Sequence, residues 1–140
     1  MSHMVVVSSS DSLKYHLNNV TTDFISEMVT PFHLDGSWEI ALIDMHLSAS
    51  SNAKNNPINI YADVCVNSNV KGVLAPLLRH IPLARIKSMY HLQLSSPIYV
   101  PLNTCEVKRI RLYITDSEGA TPAHLIDPLS CTLHIRKSIA

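Results

Sequence analysis

Apolar and polar residues alternate with a period of two through several stretches of this chain, the pattern of strands that lay one face on a core. Residues 58–66 place Ile58, Ile60, Ala62, Val64 and Val66 on one face and Asn59, Tyr61, Asp63 and Cys65 on the other. Residues 106–115 repeat it, with Lys108, Ile110, Leu112 and Ile114 opposite the wetter Arg109, Arg111 and Tyr113. Near the end, Cys131, Leu133 and Ile135 alternate with Thr132, His134 and Arg136.

Residues 38–47 differ, being apolar on both faces. A strand buried on both sides fits a sandwich centre or an oligomer interface. Ala, Leu, Met and Glu also favour a helix there, but the preceding turn at residues 34–37 and the short length favour the strand. Shorter strands are predicted at 5–8, 23–28, 90–94 and 98–100, and residues 75–86 read as a short helical turn or a bent strand. The three glycines, Gly36, Gly72 and Gly119, fall where turns are expected, and eight dispersed prolines disfavour long helices. Residues 48–57 form the clearest loop. About eight strands separated by turn signals predict an all-β fold, an antiparallel β-sandwich of jelly-roll type.

At 140 residues and 15.6 kDa the chain suits one domain. Residues 1–4 read as a cloning scar, because Ser-His-Met is a common vector remnant, which leaves residues 5–140 as a single β-sandwich domain. Apolar residues make up 46% and charged residues 16%, so the chain packs rather than remaining disordered. Eleven basic against eleven acidic residues leave no net charge. That balance carries no footprint for nucleic acid, and no apolar run is long enough for membrane insertion. A neutral, charge-poor surface is also poorly protected against self-association. Cys65, Cys105 and Cys131 are an odd number without CxxC spacing, so reduced thiols and synthesis in a cell interior are expected.

Site chemistry is sparse. No HExxH motif occurs, and Cys131 and His134 fall on opposite strand faces, so no metal site is expected. Asp44 and His46 share a face and suit a polar pair. His33, His80, His91 and His124 read as surface residues. No GxSxG elbow is present, and three glycines cannot build a phosphate-cradling loop. Two basic clusters, Arg79 with Arg85 and Lys87, and Lys108 with Arg109 and Arg111, read first as solvated strand faces. Neither an enzyme activity nor a cofactor is expected.

Several segments in order carry a resemblance. Ser10-Asp11-Ser12-Leu13-Lys14-Tyr15 precedes Leu34-Asp35-Gly36-Ser37-Trp38-Glu39-Ile40-Ala41-Leu42; then come Ile60-Tyr61-Ala62-Asp63-Val64, Ala75-Pro76-Leu77-Leu78-Arg79 and Tyr99-Val100-Pro101-Leu102. Ile110-Arg111-Leu112-Tyr113-Ile114-Thr115-Asp116-Ser117-Glu118-Gly119 and Leu133-His134-Ile135-Arg136 close the series. This succession resembles virion structural proteins of Maverick/Polinton elements and adintovirus-like viruses, related to adenoviruses. In that family a long insert follows the Trp-Glu strand, where this chain has only residues 48–57, and its members are usually longer.

The resemblance implies a virion surface or vertex component that forms a symmetric homo-oligomer and takes part in host attachment. It would be a trimeric fibre head, the favoured form, or a pentameric penton-like protein, made in the host cell interior and placed in the virion among other virion proteins. Trp38, Ile40 and Leu42 are the expected core or subunit contact. Asn52, Lys54, Asn55, Glu118 and Thr121 are the expected loop residues facing a host receptor or glycan, with the loops at 48–57 and 116–128 exposed. The rival reading is a non-viral carbohydrate- or protein-binding β-sandwich module.

Overall fold

In a computed structural model of the chain, residues 2–9, 20–49, 57–82, 89–116, 118–122 and 125–138 are described. They form two antiparallel sheets packed face to face. The strands are β1 (Ser2–Ser8), β2 (Asp23–His33), β3 (Trp38–Ala49), β4 (Ile58–Ala62), β5 (Ser68–Val70), β6 (Val73–Ala75), β7 (Leu77–Ile81), β8 (Met89–Gln93), β9 (Val100–Pro101), β10 (Glu106–Asp116) and β11 (Leu125–Lys137). One sheet runs β1-β11-β3-β8, with β9 added beside β3; the other runs β2-β10-β4-β7. The short β5–β6 hairpin pairs only with itself. Leaving aside that hairpin and the two-residue β9, the eight principal strands interleave in sequence as first-eighth-third-sixth and second-seventh-fourth-fifth, which is jelly-roll order.

The inner faces follow the alternation. Cys131, Leu133 and Ile135 of β11 face Ile110, Leu112 and Ile114 of β10 in one continuous core, completed by Ile40, Leu42, Met45, Ile58, Ile60 and Phe24. Besides the shift between β4 and β7, which leaves Leu78 extra between the partners of Ile60 and Tyr61, bulges interrupt the period at three places among the described residues. In β3, Leu133 pairs with Leu42 while Thr132 pairs with Asp44, so Ile43 is an extra residue. The inward set therefore changes phase from Trp38, Ile40 and Leu42 to Met45 and Leu47. This phase change accounts for the run of apolar residues on both nominal faces without a second buried side. Ala41 alone is outward and fully covered; it pairs with His134, whose ring meets the Tyr99 hydroxyl at 2.7 Å.

The second bulge corrects the reading of Lys108. Register jumps between Val107 and Arg109, so Val107 points inward and Lys108 is exposed. Opposite it, four residues of β2, Met28 to Pro31, intervene between the partners of Val107 and Arg109. Pro31 has no N–H to give to a ladder there. The third lies in β11, where Pro128 falls between Ile126, paired with Ser48, and Ser130, paired with His46. β4 is shorter than its pattern: it ends at Ala62, a turn takes Asp63 and Val64, and Cys65 bridges to Leu102. All five β4 residues are buried, including the outward Asn59 and Tyr61.

Residues 2–4, read from the sequence as a scar, lengthen β1: Ser2, His3 and Met4 pair with Arg136, Ile135 and His134. The His3 ring stacks on Phe32 at 4.4 Å and on Trp38 at 5.8 Å, which ties the two sheets together at that end. The bent-strand reading of residues 75–86 holds for β7, and residues 83–86 lie outside the described residues.

Candidate functional site

Trp38, Ile40 and Leu42 lie in the core of the single chain. Trp38 is 8% exposed and the other two are fully covered. The indole N–H donates to the Asp35 carbonyl at 2.8 Å, closing the turn that Gly36 makes at φ +84°. With their surface spent inside the single chain, these side chains have almost nothing to offer a second copy.

Of the expected loop residues, Glu118 and Thr121 are exposed, whereas Asn52, Lys54 and Asn55 lie outside the described residues. The 116–128 segment is only partly a loop: Pro122 is buried and β11 begins at Leu125. Asp116 shapes the turn, its carboxylate accepting from the N–H groups of Glu118 and Ala120 at 2.9 and 3.0 Å. No hydrogen bond joins Asp44 to His46; the His46 ring instead stacks on its cross-strand partner His91 at 3.8 Å. His33 and His80 are at the surface, and His124 lies outside the described residues. Among the described residues, no three His, Cys, Asp or Glu side chains are grouped to hold a metal ion, and no helix is long and apolar enough to cross a membrane.

Two surface features stand out. The first is an apolar corner where β1, an edge of one sheet, meets β2, an edge of the other. A shallow groove of about 370 Å³ there is lined by Met4, Val6, Met28, Val29 and Phe32 together with Val5, Glu27 and Thr30. Val29, thrown out by the β2 bulge, is 102% exposed, Val6 72% and Met4 58%. Scattered apolar side chains need no explanation, but several gathered at a sheet edge do. β1 carries no Lys, Glu or Pro to discourage pairing along its edge.

The second is a cleft of about 460 Å³ between the outer face of β4/β10 and the β5–β6 hairpin. Tyr61 and Tyr113 are directly opposite in register, and their rings stack at 4.8 Å, 13° from parallel. The Arg111 guanidinium lies 4.6 Å above the Tyr113 ring. Its Nε and Nη2 donate to the Asp23 carboxylate at 2.9 and 2.8 Å, and its backbone N–H donates to Asp63 Oδ1 at 2.9 Å. The bond to Asp23 raises the guanidinium pKa further. Burial raises that of the Tyr113 hydroxyl, against the opposing pull of Arg111. The hairpin turns on Lys71 at φ +51° and Gly72 at φ +83°, the pair of positive values a two-residue type I′ turn requires. Asn69 Oδ1 accepts from the Gly72 N–H at 2.8 Å. Val70, Val73 and Ala75 form the apolar wall, and Glu118 and Lys71 stand at the rim. Thr115 Oγ1 is buried at the edge of this cleft and has no hydrogen-bond partner. The cleft depends on long-range register, and its only sequence signals are Lys71-Gly72 between valines and the two outward tyrosines.

The thiols divide sharply. Cys65 and Cys131 are buried and Cys105 is exposed, all unpaired. Burial pushes both buried thiols up to about 12, with Asp63 adding to the effect at Cys65 and Asp44 at Cys131. They are packing groups rather than nucleophiles. No protein-family model matches the chain, and no curated protein matches it.

Proposed function

We propose that the chain is a virion structural protein, a surface or vertex subunit that forms a symmetric homo-oligomer and takes part in host attachment. One observation carries the reading: the apolar β1–β2 corner, with Val29, Val6 and Met4 exposed on a jelly roll that has no net charge. Apolar groups gathered at an edge favour burial against another surface, and a closed ring of identical subunits is the economical way to cover them. The ordered series of motifs that resembles Maverick/Polinton virion proteins supplies the virion setting. The subunit contact is thereby assigned to the corner, while Trp38, Ile40 and Leu42 serve the core. Attachment falls to the exposed turn that carries Glu118 and Thr121.

Solution mass across a dilution series tests this. A stable trimer supports a fibre-head role and a pentamer a vertex role. A chain that is monomeric at every concentration contradicts the assembly reading and favours the rival one, a small binding module. What supports that rival is the cleft beside Tyr61 and Tyr113.

A further inference from the structure

We propose that the cleft beneath the β5–β6 hairpin binds a neutral, phenol-like ring: a flat apolar body with one hydrogen-bonding group. This site stands independently of whether the chain assembles. Its volume, about 460 Å³, falls in the range of small-molecule pockets. The floor is the Tyr61–Tyr113 stack, to which a further ring adds by offset or edge contact. The wall is Val70, Val73 and Ala75, which can pack against a ring but cannot hydrogen-bond.

The polar end of the ligand is set by Thr115. Its buried hydroxyl is without a partner, a costly state for a group that can both donate and accept. Thr115 lines the cleft while its Oγ1 is covered, so a change of χ1 rotamer is the step that presents the hydroxyl to a guest, and pairing with a guest hydroxyl then removes that cost. Neutrality follows from the charges nearby: the Arg111 guanidinium is held bidentate by Asp23, and the rim carries one group of each sign, Lys71 and Glu118. A sugar fits poorly, because hydroxyls laid on the valine and alanine wall would lose water without gaining partners. The hairpin is a natural cover. A two-stranded ribbon is marginal alone, so a guest that fills the space beneath it also orders it.

The test is an NMR titration of the isotope-labelled full chain with p-cresol, toluene and methyl β-D-galactopyranoside. p-Cresol is expected to shift the signals of Val70, Val73 and Thr115 saturably in the low-millimolar range. Toluene is expected to shift the same signals with about three- to tenfold weaker affinity, the value of one hydrogen bond. The galactoside is expected to leave them in place. Ala75→Leu, which fills the cleft, should abolish p-cresol binding while the Ile40 and Leu133 signals stay native. Thr115→Val should weaken p-cresol to the level of toluene and leave toluene unchanged, so the test survives if Ala75→Leu does not fold. Absence of saturation by p-cresol, binding that persists in a folded Ala75→Leu, p-cresol affinity unchanged in Thr115→Val, or tighter binding of the galactoside would each overturn the assignment.

Discussion

Tyr61 of β4 and Tyr113 of β10 occupy opposed positions on the outer face of their sheet, with ring centroids 4.8 Å apart. Residues 52 positions apart in sequence thus make one aromatic unit, and Tyr61 is nearly buried on the side of the sheet that usually meets water. Such a pair contributes beyond its buried area. In a double-mutant cycle with Tyr61→Ala and Tyr113→Ala, followed by urea denaturation, we expect a coupling of about 0.5–1.5 kcal/mol. A coupling near zero would mean that the rings pack independently.

The hairpin turn makes a local prediction. Gly72 has no neighbour that a Cβ would strike, so Gly72→Ala acts only through its positive φ. It should lower the local stability of β5–β6 by about 1 kcal/mol. Lys71 has the same kind of backbone with a poorer residue for it, so Lys71→Asn should move the opposite way. Amide hydrogen exchange of Asn69 to Leu74 reads both, faster in the first variant and slower in the second, with the β3 and β11 amides unchanged.

Thiol chemistry separates the three cysteines. At neutral pH a disulfide reagent should modify Cys105 alone in the folded chain and all three after denaturation. The raised thiols also set a pH dependence. In the unfolded chain Cys65 and Cys131 ionise near the ordinary 9.0, but in the folded chain they keep their protons to about 12. Between those values the folded state binds more protons. Stability is therefore intact below pH 9 and falls as pH rises towards 12, with a slope from each thiol of up to about 1.4 kcal/mol per pH unit. Cys65→Ala and Cys131→Ala should each remove part of that slope in denaturation curves measured through this range.

The strands were legible wherever the period of two ran uninterrupted. Cys131, Leu133 and Ile135 could be assigned to the core from alternation alone, and the turns at Gly36, Gly72 and Gly119 all show the positive φ that glycine accepts. Bulges were not legible. Ile43 is one residue too many for its ladder, and a residue inserted in a strand looks, in sequence, like a strand apolar on both sides. Alternation likewise puts Lys108 inward, because the register jump after Val107 leaves no mark in the sequence. The cleft was hidden more deeply, since it arises where the hairpin folds back over β4 and β10, a contact no local pattern encodes. The corner was hidden because exposure at Val29 depends on β2 leaving its ladder opposite Lys108.

Core and corner should respond differently to substitution. Leu42→Ala opens space in a fully packed interior and should cost about 2–5 kcal/mol in denaturation experiments. Val29→Ala removes methyls that meet solvent in the single chain, so any change in the isolated subunit should stay within about 0.5 kcal/mol. A large loss for Val29→Ala in a monomeric chain would place that side chain in an intramolecular contact.

Light scattering on the full chain and on Val6→Lys/Val29→Lys, each across a dilution series, tests the proposed assembly most directly. The corner as subunit contact predicts a trimer or a pentamer for the native chain and a folded monomer for the charged variant, since assembly would have to take two added cations per subunit out of water. A native chain that is monomeric throughout, or a variant that keeps the native mass, would contradict it.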